Sequence, residues 1–148
     1  MRDWRVRSLI RIARCIVYND YRFLLSDDLA DYVCSRFNVN RNFILGIIEA
    51  YRDVREIFQG KSNSWFIRAL VRLMYGVHRI GAYSWVLRGI PEFGDYYKIY
   101  QVWYSTRDKR YYCSCFTRRF GQIRRKHICT HIAAVMLSRR SRKIGEYL

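Results

Sequence analysis

The sequence predicts a mostly α protein with a small β-hairpin near its C-terminal end, and three observations lead there. Apolar residues recur at helical spacing through roughly the first ninety positions. The single proline lies in Gly89-Ile90-Pro91-Glu92-Phe93-Gly94, where breakers stand at both ends. Beyond it, two runs of aromatic and β-branched residues flank a polar turn. The expected organisation is a helical bundle region over residues 1–92, followed by a strand–strand–helix module over 93–148 that ends in a basic helix.

Each helix of the first region has its own signature. Val6, Leu9, Ile10, Ala13, Ile16 and Val17 form one face, with Arg7, Arg11 and Arg14 on the other. Ser26, Asp27 and Asp28 open a second helix, placing acids near the positive end of its dipole and leading to Leu29, Tyr32 and Val33. Ile44, Ile47, Ile48, Tyr51, Val54 and Phe58 make a longer stripe that stops by Gly60. Ser62, Asn63 and Ser64 cap a run over 65–75 that is apolar except at Arg68 and Arg72, which predicts a central, mostly buried helix. Gly76, Gly81 and Gly89 punctuate the next stretch, and a short helix is expected over 83–88. Residues 27–58 can also be read as a helix–turn–helix with Asn42, Arg52 and Arg55 outward, but paired amphipathic helices are common in bundles, and the bundle is the preferred reading.

In the second region, 97–104 and 110–116 are the expected strands, with 105–109 as their turn. A basic stretch over 117–127 leads into a helix with Ile132, Val135 and Met136 on one face. Such a module has too thin a core to stand alone.

Charge is the first functional signal. The 148 residues carry 28 Lys plus Arg against 12 Asp plus Glu, a net +16, and all but five of the cations are arginine. From Tyr96 onward, 13 basic residues meet only Asp108 and Glu146. Self-repulsion on this scale points to a polyanionic partner, and arginine's flat fork suits phosphate. Arginine excess also has a bland origin in genome composition or a hot habitat. With 51% apolar and 17% aromatic residues, the chain is not a disordered polycation. No long uncharged apolar run suggests a membrane span, and the arginines within the first apolar stripe argue against a signal peptide, so an intracellular, non-secreted protein is expected.

In a reducing interior, cysteines serve metals more often than disulfides. Cys113-Ser114-Cys115, 13 intervening residues, then Cys129-Thr130-His131 offer three thiolates and one imidazole. Cys113 and Cys115, two apart in a strand, project to one face; Cys129 and His131 converge if the cysteine caps the helix. This set makes a closed, tetrahedral structural zinc site with no open position, and one zinc ion per chain is expected. His127 lies close enough to compete with His131, while Cys15, Cys34 and His78 read as structural.

The order Cys-x-Cys, gap, Cys-x-His, coming after a tyrosine-rich hairpin and leading into a small helix, resembles a SWIM zinc finger over about 98–137. The family pattern selects His131 over His127. The resemblance implies a strand–strand–helix zinc module of the kind found in transposases, chromatin-associated proteins and partners of recombination mediators, with roles in DNA binding or protein contact. Residues 1–92 resemble nothing comparable.

Arg118, Arg119, Arg124, Arg125 and Lys126 crowd the stretch that the zinc closes, and Arg139, Arg140, Arg142 and Lys143 extend the last helix, where cations also favour the dipole. Phosphate contacts from these residues would give salt-sensitive affinity, and Phe120, Tyr111 and Tyr112 either stack on bases or pack inside. The expectation is a non-enzymatic, zinc-stabilised nucleic-acid-binding protein, DNA ahead of RNA, serving recombination, transposition or transcription. An adaptor for a recombinase-like ATPase is the alternative. No carboxylate cluster, phosphate loop or nucleophile–base pair suggests catalysis, and no small-molecule substrate is expected. A basic amphipathic helix on anionic membrane fits residues 4–18 alone.

Overall fold

The computed structural model describes residues 3–117 and 128–145. Four helices come first: α1 (Trp4–Asn19), α2 (Ser26–Arg36), α3 (Arg41–Ile57) and α4 (Asn63–Tyr75). Then come four strands, β1 (Val77–Gly81), β2 (Ser84–Arg88), β3 (Ile99–Ser105) and β4 (Arg110–Cys113), and a final helix, α5 (Thr130–Gly145). The protein is mostly helical, with one antiparallel sheet in the order β1-β2-β3-β4.

The helices start where side chains can satisfy their first N–H groups. Asn40 accepts from Phe43 N at 3.0 Å to open α3, and Ser62 accepts from Trp65 N at 3.1 Å to open α4. Asp3 does double duty: it accepts from Arg5 N at 2.9 Å to cap α1 and from the Tyr75 hydroxyl at 2.8 Å, which fastens the start of α1 to the end of α4. Arg52 pins the α1–α2 corner, with Nε on Asp20 at 2.8 Å and its terminal nitrogens on the carbonyls of Phe23 and Leu24. Arg55 bonds Tyr51 and Asn63. Two of the three residues that a groove-entering motif would present are therefore committed inside the bundle.

The expected short helix over 83–88 is instead strand β2. Its burial alternates, with Trp85 and Leu87 inward, a period of two that gives a five-residue segment a single buried face only when extended. Trp85 pairs with Arg79 on β1 and with Val102 on β3, so partners on both sides replace a helix's internal bonds. The expected hairpin over 97–116 is β3–β4, but it lies at the edge of a four-stranded sheet. Pairing runs across the breakers around Pro91, since β2 and β3 are neighbours.

Helix α5 is the wall between two cores. Ala133 and Leu137, one turn apart, join the helical core with Ile44, Ile48, Phe66 and Leu70. Ile132, Ala134 and Val135 join Trp85, Leu87, Tyr100 and Val102 on the inner face of the sheet. Each large apolar side chain buried this way contributes about 1.5–3 kcal/mol. No described helix is long and apolar enough to cross a membrane.

One backbone crossing is tight. Gly89 N donates to Lys98 O at 2.7 Å, and a Cβ placed on Gly89 would lie 1.9 Å from Tyr97 O. Gly89→Ala is therefore expected to cost about 2–3 kcal/mol in urea unfolding by forcing β2 and β3 apart; an unchanged midpoint would show that the strands do not approach this closely.

Candidate metal centre

Cys113, the last residue of β4, pairs with Val102 and faces α5. Sequence spacing places Cys115 beside it through strand alternation, and the structure brings the two together differently. The strand ends at Cys113, and a 3-10 turn over Ser114–Thr117 carries Cys115 round to the same side. Ser114 anchors that turn by accepting from Gln101 N at 3.0 Å. Cys129 immediately precedes α5, its Sγ accepting from Ile132 N at 3.4 Å and its carbonyl from Ala133 N at 3.0 Å. A thiolate there sits at the positive end of the dipole. His131, in the first turn of α5, stacks on Tyr100 with ring centroids 4.1 Å apart. Tyr100 is itself fixed, since its hydroxyl accepts from Tyr96 N at 3.0 Å and Tyr97 N at 3.2 Å.

These elements bring the candidate donor atoms of Cys113, Cys115, Cys129 and His131 within 4.8 Å of one another. Donors around a tetrahedral zinc stand about 3.5–4 Å apart at the bond lengths such sites use, so the cluster admits one ion. Cys113, Cys115 and His131 are at most 2% exposed, and Cys129 is half-buried.

The donor chemistry fits a cation. Among the described residues, His131 Nδ1 is the buried side-chain nitrogen or oxygen without a hydrogen-bond partner, and leaving such an atom unsatisfied costs about 1–3 kcal/mol. A metal bound at Nδ1 removes that cost. Burial works against a charged imidazole, but the Asp95 carboxylate at Nε2 and the nearby Cys115 and Cys129 sulfurs outweigh it and push His131 up to about 10. Hydrogen bonding between Cys113 and Cys115 drives the first thiol up and the second down, because crowded sulfurs cannot all ionise without a counter-cation. The pocket is one that attracts positive charge.

Behind the histidine lies a buried relay that sequence reasoning missed. His131 Nε2 is 3.4 Å from both Asp95 carboxylate oxygens. Arg72 holds the same carboxylate with Nη1 at 2.5 Å and Nη2 at 3.0 Å, and Ile90 N donates to it at 2.7 Å. Arg72 Nε donates to Thr130 Oγ1 at 2.9 Å. Burial alone would raise Asp95, yet His131 and Arg72 hold its carboxyl well below the usual range. A carboxylate on the far nitrogen of a ligating histidine fixes its tautomer and orientation. The only sequence trace of this relay is an arginine interrupting the apolar run of α4.

The expected nucleic-acid contacts divide. Arg118, Arg119, Arg124, Arg125 and Lys126, with Phe120 and His127, lie outside the described residues. Arg139 is exposed on α5 but leans on the sheet, with Nη1 donating to the Tyr111 hydroxyl at 2.6 Å and its guanidinium 5.3 Å from the Trp85 ring centroid. Arg140 is exposed, with Nη1 on Met136 O at 3.4 Å. Cys15 and Cys34 pack against the helical core, where burial pushes both thiols up, and His78 is exposed on β1.

Comparisons with protein-family models, curated proteins and solved structures give no match. The likeness to SWIM fingers thus rests on the ligand spacing and on the sequence of strands, turn and helix.

Purified protein is expected to carry one metal per chain by elemental mass spectrometry and to release it on acidification, because protons compete with the ion for the thiolates and the imidazole as pH falls. Asp95→Asn is expected to weaken metal affinity about 10–100-fold in chelator competition; unchanged affinity would show that the relay does not support the ligand.

Proposed function

We propose that this chain is a zinc-stabilised, non-enzymatic nucleic-acid-binding protein, acting on DNA in recombination, transposition or transcription. The convergence of Cys113, Cys115, Cys129 and His131 carries the reading. A metal on these four groups would tie Cys115 to Cys129, the two cysteines that flank the stretch bearing Arg118, Arg119, Arg124, Arg125 and Lys126 in the sequence. A SWIM-like identity is consistent with this arrangement, and an intracellular, reducing setting suits three metal-bound thiolates.

Electrostatics support the same reading. Asp3, Asp20, Asp27, Asp31 and Asp95 are already paired with Arg5, Arg52, Arg41 and Arg72. The remaining acids are still far outnumbered by the remaining cations of a +16 chain with 28 Lys plus Arg against 12 Asp plus Glu, while Arg7, Arg11 and Arg14 stay exposed along α1. Such an excess favours a polyanion, with affinity driven by release of counterions.

One observation favours a second reading, that of an adaptor for a recombinase-like ATPase. At the α1–α2 corner Tyr21 is 85% exposed, Leu24 93% and Leu25 57%, apolar surface that suits a protein partner. A mobility shift of DNA by the purified protein alone, abolished by salt, supports direct binding; a shift seen only with a partner present supports the adaptor.

Arg124→Ala with Arg125→Ala is expected to weaken duplex binding and to make the slope of log affinity against log salt shallower by about 2, with the melting temperature unchanged. Full affinity in that variant would remove the basic stretch from the contact surface.

A further inference from the structure

A cleft opens between α4, the turn at 93–95 and the start of α5, with a volume of about 400 Å³, the size of a small-ligand site. Lys61, Trp65, Arg68 and Phe93 line it, and Ile128, the first described residue after the basic stretch, borders it. Trp65, Arg68 and Arg72 follow helical spacing on α4, and Lys61, just ahead of that helix, lies over the Trp65 ring, so one ring and three cations run along the cleft. A second hollow of similar size shares Arg68 and Phe93 and extends to Arg14 and Tyr18 on α1, forming a groove.

The charges in this cleft do not balance. Asp95 is the carboxylate on its wall, Arg72 already holds it in a buried bidentate pair, and Cys129 and His131 at the inner end belong to the candidate metal cluster. Among the described residues, neither Lys61 nor Arg68 has a carboxylate partner; Lys61 lies over the Trp65 ring at 5.3 Å, and Arg68 Nη1 donates to Ser64 Oγ at 2.8 Å. Glu92, exposed, stands at the second hollow. Burial, and then the neighbouring Arg72 guanidinium, push Arg68 below its ordinary value. Two half-buried cations beside aromatic rings, with the local acid already taken, call for an anion that carries a flat group.

We propose that this cleft binds a nucleotide unit, its phosphate held by Lys61 and Arg68 and its base laid beside Phe93. Rings next to a cationic groove are how single strands are held without sequence readout. The inference rests on the nucleic-acid reading above but moves a phosphate contact into the helical half, onto residues that the sequence does not single out. Arg14, at the far end of the groove, is placed to meet the next phosphate of a strand. A free nucleotide offers the same chemistry, and the test separates the two sources.

Binding of a labelled single-stranded decamer and of a mononucleotide should be measured on the full chain and on two equally charged variants. One is Lys61→Gln with Arg68→Gln; the control is Arg88→Gln with Arg107→Gln, which changes exposed residues on β2 and the β3–β4 turn. The cleft variant is expected to lose about tenfold in strand affinity and about 1.4 in salt slope, well beyond the control. Ultraviolet cross-linking of a bromouracil strand to the unmodified chain, which needs no variant to fold, should label peptides spanning 61–68 or 91–95.

Equal losses in the two variants, or cross-links confined to 98–127, overturn the cleft while leaving nucleic-acid binding intact. Mononucleotide binding that the cleft variant loses, with no strand bound by the unmodified chain, keeps the cleft and removes the nucleic-acid reading. No binding of either ligand overturns both.

Discussion

The buried chain from Arg72 through Asp95 to His131 is the constraint on which the arrangement of this protein depends. Arg72 belongs to the central helix, Asp95 to the turn after Pro91, and His131 to the metal cluster. Each is buried, so each needs its neighbour: an unpaired ion here would cost several kcal/mol, and removing one member of a buried pair typically costs about 3–5 kcal/mol. The relay sets how the helices, the sheet and the ligand histidine meet. It also leaves His131 Nδ1 without a hydrogen-bond partner, which makes the cluster a candidate site for a metal and not only a patch of core.

The metal cluster and the two hydrophobic cores divide the work of holding α5. Apolar side chains on opposite faces of that helix press it against α3, α4 and the sheet, but such contacts tolerate sliding. Directional bonds at its N-terminus, from Cys129, Thr130 and His131, fix its register. A strand end, a 3-10 turn and a helix start are each weak structures alone, and an ion shared by Cys113, Cys115, Cys129 and His131 would hold all three in one geometry. The same fixed helix start forms one wall of the cationic cleft, so metal centre and proposed nucleotide site depend on a single piece of geometry.

How much was legible in the sequence depends on the range of the forces involved. The first four helices could be read because a 3.6-residue apolar period is a local property, and the candidate metal cluster because two short spacings bring uncommon residue types together. Strands β1 and β2 escaped: five residues between glycines carry too little periodicity to separate strand from helix, and pairing with β3 across the Pro91 turn decides the matter. Strand alternation gives the wrong local reason for Cys115 standing beside Cys113, since the strand stops before it. Arg72 and Asp95 were invisible as a pair. They lie 23 positions apart, and only the tertiary fold shows that a cation in an apolar helix answers an anion in a turn.

X-ray absorption at the zinc edge on the purified protein would read the ligand shell itself. A four-coordinate ion with three sulfurs at about 2.3 Å and one imidazole nitrogen at about 2.0–2.1 Å is expected. A shell containing oxygen, a sulfur count of two or fewer, or protein that takes up no zinc would contradict this coordination.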